Sequence, residues 1–175
     1  RAIPISTKVP DCQRFFDQGL GQLHGFWYFE AERSFRQAAL ADPDCPMTYW
    51  GMALANVNND KRAKGFIAEA IERRERATPR ERMYLDALRT WHDTDPKKDK
   101  DRRRAYVRAL EAIVQQHPDD IEAKALLVLQ IWQNHSRGWP ISSHQAVDAL
   151  IDQVLAVEPM HPIHHYRIHL WDDEK

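Results

Sequence analysis

The sequence predicts an all-α fold of helices in antiparallel pairs, on three observations. No segment alternates apolar and polar residues with a strand period over a useful length, and apolar residues recur instead at helical spacing. A pattern of bulky and small residues also returns after a shift of 32 positions, which aligns Phe15 with Met47, Gly19 with Gly51, Ala31 with Ala63, Phe35 with Ile67 and Ala38 with Ala70. Repetition of this kind is the mark of stacked supersecondary units.

The elements follow in chain order. Helices over 11–25 and 29–41 carry Phe15 and Gly19 on the first and Ala31, Phe35 and Ala38 on the second. Small residues let two backbones approach while bulky ones fill the space beside them. Asp42-Pro43 ends the pair, because a residue before proline is disfavoured in the α region and proline cannot continue the helix. The shifted pattern places the next pair over 45–57 and 60–76. Thr78-Pro79 with Glu81 then supplies an N-cap, a proline at the first helical position and a capping box for a helix over 79–92. Tyr106 and Ala109 precede "QQHPDD" in a helix over 101–116, one turn longer than its counterpart, since Pro118 stands nine residues after Ala109 whereas Pro43 stands five after Ala38. Helices over 119–134 and 143–157 follow, the latter behind Ser142 or Ser143 and carrying Val147, Ile151 and Val154, and a last helix over 162–173 opens at Pro162.

The first pair resembles the tetratricopeptide repeat, whose pattern of aromatic, Gly, Ala, aromatic, Ala and Pro is met by Phe15, Gly19, Ala31, Phe35, Ala38 and Pro43. The second pair keeps Gly51, Ala63, Ile67 and Ala70 but lacks the closing proline, and the later units diverge further. The resemblance implies a right-handed α-solenoid of about four hairpins plus the first helix of a further one, forming a single domain over 1–175. "FWYFEAERSF", "YWGMALAN" and "HPIHHYRIHLWD" further resemble large bacterial proteins of this family. That likeness implies export to the periplasm, cytoplasmic residence being the alternative.

With 25 Lys plus Arg against 26 Asp plus Glu, the net charge is -1, which leaves no broad positive field for nucleic acid. No apolar run approaches the ~20 residues that span a bilayer, so membrane insertion is not expected. The chain opens at Arg1 without a signal-peptide core, as a processed segment would, and the apolar Ile163, Tyr166, Ile168, Leu170 and Trp171 in the last helix point to an array that continues. Cys12 and Cys45 are not arranged as CxxC and are expected as two thiols. Asn134-His135-Ser136 fits a glycosylation sequon of little weight.

"MHPIHHYRIHLW" holds His161, His164, His165 and His169. His165 and His169, four apart, share a helix face that Asp173 extends, and with His135 from the preceding hairpin they form a candidate set for zinc or copper. Two ligands on one exposed helix do not enclose an ion, and no glutamate follows the first histidine as in HExxH. The favoured reading has no cofactor and no catalysis: His161 and His164 fall where first helices of such repeats face a concave groove, and His165 faces neighbouring helices. Clustered imidazoles also offer a charge sensor that loosens as pH falls through ~6.5. The basic run "KKDKDRRR" is interrupted by Asp99 and Asp101 and reads as a solvated loop leading into a helix. Its arginines oppose the macrodipole and call for acidic partners. The aromatics of "HGFWYFEAE" read as closing the gap to the next pair of helices. His24 and Asn56, aligned by the shift, are expected to point the same way.

The function read from the sequence is that of a non-catalytic scaffold binding a peptide, a partner protein or another domain of its parent in a groove lined by Phe16, Leu20, His24, Thr48, Met52, Asn56, His161 and His164. A metal-binding or metal-dependent module built on His165, His169, Asp173 and His135 is the alternative.

Overall fold

The computed structural model describes residues 3–172, and all regular secondary structure among them is helical. The α-helices are α1 (Pro10–His24), α2 (Tyr28–Ala41), α3 (Pro46–Ala55), α4 (Asp60–Glu72), α5 (Pro79–Asp93), α6 (Asp99–Gln116), α7 (Ile121–His135), α8 (His144–Val157) and α9 (His164–Asp172). Every helix anticipated from the sequence is present. None of those among the described residues is long and apolar enough to cross a membrane.

Helix starts are set by local chemistry. Proline occupies the first turn of α1, α3 and α5, where its missing N–H costs nothing. Asn59, Thr78, Asp120 and Ser143 accept backbone N–H bonds at the starts of α4, α5, α7 and α8. The expected capping box is formed, and Glu81 in addition accepts the Ser6 amide at 2.7 Å, which ties the N-terminal segment to α5. Boundaries shift where a tighter turn replaces an α turn: Arg74–Arg76 is a 3₁₀ turn after α4, and Pro96–Lys98 another before α6. At the start of α6, Asp99 accepts from Arg102 at 2.8 Å and Arg103 at 2.7 Å. Burial pushes the Asp99 carboxyl up, but the two guanidinium groups outweigh it and hold it below the usual carboxylate range.

Consecutive helices pack on one another; α1 also meets α3, α3 meets α5 and α7 meets α9. Gly19 and Gly51, aligned by the 32-residue shift, converge on Phe35, which is wholly buried. A Cβ placed on Gly19 of α1 would stand 2.6 Å from its ring, and one on Gly51 of α3 2.5 Å. The ring of α2 is thus clasped between two backbones that only glycine allows so near, with Phe16 5.5 Å away. Cys12 and Cys45 are free and buried.

Every residue of α7 from Ile121 to Gln130 is buried. A helix apolar on all sides is an interior helix, and α7 has one apolar cluster on each flank. Ala123, Leu126 and Leu127 join the one built on Phe16, Phe35, Trp50 and Tyr84, while Ala125, Val128 and Leu129 join the one built on Ile151, Ile163 and Tyr166. Asn134, the sequon residue, is buried at its end and accepts from Arg103 and Gln130, so it presents no glycosylation surface. The aromatics around the α1–α2 turn divide. Phe26, at a φ of 62°, packs on Trp132 of α7 and Tyr166 of α9, whereas Trp27 (64% exposed) and Phe29 (72%) close no gap.

Candidate functional site

The sequence places eight residues along an open groove; the structure places seven of them inside. Phe16, Leu20, His24, Thr48, Met52, Asn56 and His161 are buried, and His164 is exposed. Thr48 and Asn56 are satisfied within the chain. Thr48 donates to the Cys45 carbonyl, and Asn56 donates to Glu32 at 2.9 Å and to the Met52 carbonyl at 2.8 Å. His24 ends α1 and Asn56 caps the end of α3, yet neither offers a surface. The physical reason is α7 and α9: their residues stand against the end of α1 where a groove was expected to open.

Of the metal-candidate residues, the structure brings two histidines together. His165 and His169 do share a face of α9, with their Nε2 atoms 3.0 Å apart, one donating to the other. His165 is exposed, and His169 stacks on Trp132 at 4.7 Å. His135 Nδ1 donates to the Trp139 carbonyl at 2.9 Å, and its ring lies beside that of His144. Asp173 lies outside the described residues.

A different set converges. His24 from the last turn of α1, Glu122 from the first turn of α7 and His161 from the turn before α9 are all buried, and one ligand atom from each lies within 4.8 Å of the others. His24 Nε2 bonds Glu122 Oε1, its Nδ1 meets the Tyr166 hydroxyl at 2.8 Å, and its ring lies 5.0 Å from that of His161. His161 Nδ1 accepts the Ile163 amide at 3.0 Å, which fixes the turn that leads into α9. Its Nε2 and the second oxygen of Glu122 make no hydrogen bond among the described residues.

The electrostatics match this enclosure. Burial pushes the Glu122 carboxyl up, but the His24 ring, with His161 behind it, outweighs burial and holds it below the usual range. Burial first, and His24 next, push His161 down to about 4, so it is neutral at physiological pH. A buried carboxylate is tolerable only when paired and hydrogen-bonded, and His24 is its partner.

A second feature is open to solvent. A cleft of about 330 Å³ lies between the ends of α3 and α5, the start of α6 and the later half of α7. Its walls include Tyr28, Trp91, Tyr106 and Trp132, and its polar residues include His92, Arg103 and Gln130. Arg103, 4% exposed, is held at Nε by Asp99 and at Nη1 by Asn134, with Trp91 5.3 Å from its guanidinium carbon; its Nη2 makes no hydrogen bond among the described residues. His92, 7% exposed, has no partner at Nδ1, the nearest carboxylate oxygen, Asp60 Oδ1, standing 4.0 Å away. Burial, aided by Lys64 and Arg102, keeps the His92 ring below its ordinary pKa.

Sequence reasoning singled out His24 and His161 but missed Glu122, Tyr166, His92 and Arg103. A signal for Glu122 was present: it stands in "IEAKALLVLQ", apolar on every helical face, where a carboxylate must be buried with its helix. His92 and Arg103 carry no comparable local mark. Compared with protein-family models, with curated proteins and with solved structures, the chain matches none.

Proposed function

We propose that this chain is a non-catalytic binding module, a tetratricopeptide-type array of helix pairs, and that it takes a protein or peptide ligand at the aromatic cleft beside α7. The observation that carries this reading is Arg103. Its guanidinium is desolvated and oriented by Asp99 and Asn134, and one nitrogen remains unspent in the wall of a cleft that also holds the unpartnered His92. Pre-orienting a donor before the ligand arrives removes part of the ordering cost of binding. A planar guanidinium with free N–H groups selects a carboxylate, and the aromatic walls accept an apolar neighbour of that group. The ligand is accordingly a segment carrying an acidic side chain or chain terminus next to an apolar residue, held by one anchor as in most interfaces. The regularity of the Gly19–Phe35–Gly51 clasp supports the repeat reading; the burial of the first-helix face moves the recognition surface from that face to the cleft.

Selection of random peptides displayed on phage against the immobilised chain tests it. Enriched sequences share a carboxylate beside an apolar residue, and their binding weakens at least about tenfold, about 1.4 kcal/mol, in Arg103→Gln. No enrichment, or enriched peptides that bind Arg103→Gln as well as the parent, would overturn the assignment.

A further inference from the structure

From the convergence of His24, Glu122 and His161 we infer a metal centre: the three side chains bind one first-row divalent ion of the zinc class, with Tyr166 orienting His24 from behind. Two imidazoles and a carboxylate are the donor set that zinc takes from proteins. They arrive from three places, the ends of α1 and α7 and the turn before α9, so they surround a point, as ligands on a single helix cannot. Tetrahedral zinc holds its ligand atoms roughly 3.3 Å apart. Atoms already within 4.8 Å of one another close on an ion by side-chain movements on the order of 1 Å.

The hydrogen bonds define what loading does. His24 Nε2 now donates to Glu122; with the ion in that place, Nε2 gives up its proton and offers the lone pair to the metal, and the one proton left on the ring sits on Nδ1, donating to the Tyr166 oxygen. A ligating histidine that donates its other N–H to an oxygen is the usual outer arrangement of such sites. Glu122 has a second oxygen without a hydrogen bond among the described residues, and His161 Nε2 is likewise unspent. His161 must change tautomer, because its Nδ1 accepts the Ile163 amide at 3.0 Å. Once Nε2 ligates, Nδ1 bears the proton and releases that amide. Binding is therefore reported at Ile163, two residues before His165, and the His165–His169 pair plays no part in it.

The ion bridges helices far apart in sequence, and all three of its ligands are buried. It is independent of the ligand cleft at Arg103.

The test is titration of the untagged full chain, stripped with chelator, with Zn²⁺ by calorimetry and Co²⁺ by absorption. The expected result is one equivalent bound with d–d bands of low-symmetry cobalt, and a shift of the Ile163 amide resonance on loading. Affinity falls at least about tenfold in Glu122→Gln and in His161→Asn, whose side-chain oxygen still caps Ile163, and stays within about threefold in the double variant His165→Ala/His169→Ala. Should a variant fail to fold by circular dichroism, the Ile163 resonance in the parent chain and the titration of the double variant still decide. Absence of binding, loss of binding in the double variant, or an Ile163 amide unmoved by a bound equivalent would each overturn the centre.

Discussion

Phe35 and His24 each join three helices, and they do so by opposite means. Phe35 of α2 is held between Gly19 and Gly51, within a span of 32 residues, by contact alone. His24 of α1 is held by Glu122 of α7 and Tyr166 of α9, across separations of 98 and 142 residues, by directional bonds. The apolar joint gains from dispersion and removal of surface from water, which any ring of that shape supplies. The polar joint gains little in net energy, since desolvation offsets attraction, but only one placement of α7 and α9 satisfies it. Burial energy resides in the first joint, and selection among arrangements in the second.

Breaking either joint gives the largest effect expected. Phe35→Ala removes a ring with no exposed surface and should cost about 3–5 kcal/mol in urea unfolding. His24→Leu in chelator-treated protein should cost nearly as much, about 3–4 kcal/mol, because Glu122 is left buried and unpaired. The double variant His24→Leu/Glu122→Leu sharpens the contrast: it should recover at least half of that loss, as apolar substitution of both partners in a buried pair often does. If the double variant is as unstable as the single one, the polar joint carries energy as well as placement. Gly51→Ala comes next, at about 1–3 kcal/mol, since the new methyl must displace the Phe35 ring. A thermal melt unchanged from the parent would show that the clasp is slack.

The smallest effect concerns pH. Burial keeps the His92 ring below its ordinary pKa in the folded chain, whereas the unfolded chain protonates it near 6.5. As pH falls below about 6.5, the unfolded state binds the proton first, so stability drops until the folded pKa is reached and then levels off. Comparing His92→Gln with the parent by urea unfolding between pH 7.5 and 4.5 isolates this contribution. The parent should lose more than the variant on going down; equal slopes would mean that the ring is not desolvated in the folded state.

The first joint was legible in the sequence and the second only in fragments. Gly19, Phe35 and Gly51 recur at one shift, and a repeat that packs on its neighbours reports its contacts in its own period. The starts at Thr78 and Ser143 were equally local matters of capping. By contrast, His24 was read as a groove residue because its period matched Asn56, and nothing near it in sequence announces α7. Which helix covers which face depends on side chains at both ends of a long separation, and one strand of text shows one end at a time. The same limit explains the aromatics after His24. Composition marks Phe26, Trp27 and Phe29 alike, while a left-handed turn at Phe26 sends that ring inward and leaves the other two outside.

His24 also sets a clock. A ribosome adds about 5–20 residues each second, so the α1 imidazole is made roughly 7 to 28 seconds before Tyr166 exists to meet it. In that interval the Phe35 clasp, closed within its own neighbourhood, can form. Contacts between distant residues come late in folding because the intervening chain must first be gathered. The first half of the molecule therefore matures as a partly built body with a polar socket at the end of α1, and the arrival of α7 and α9 is the event that seals it.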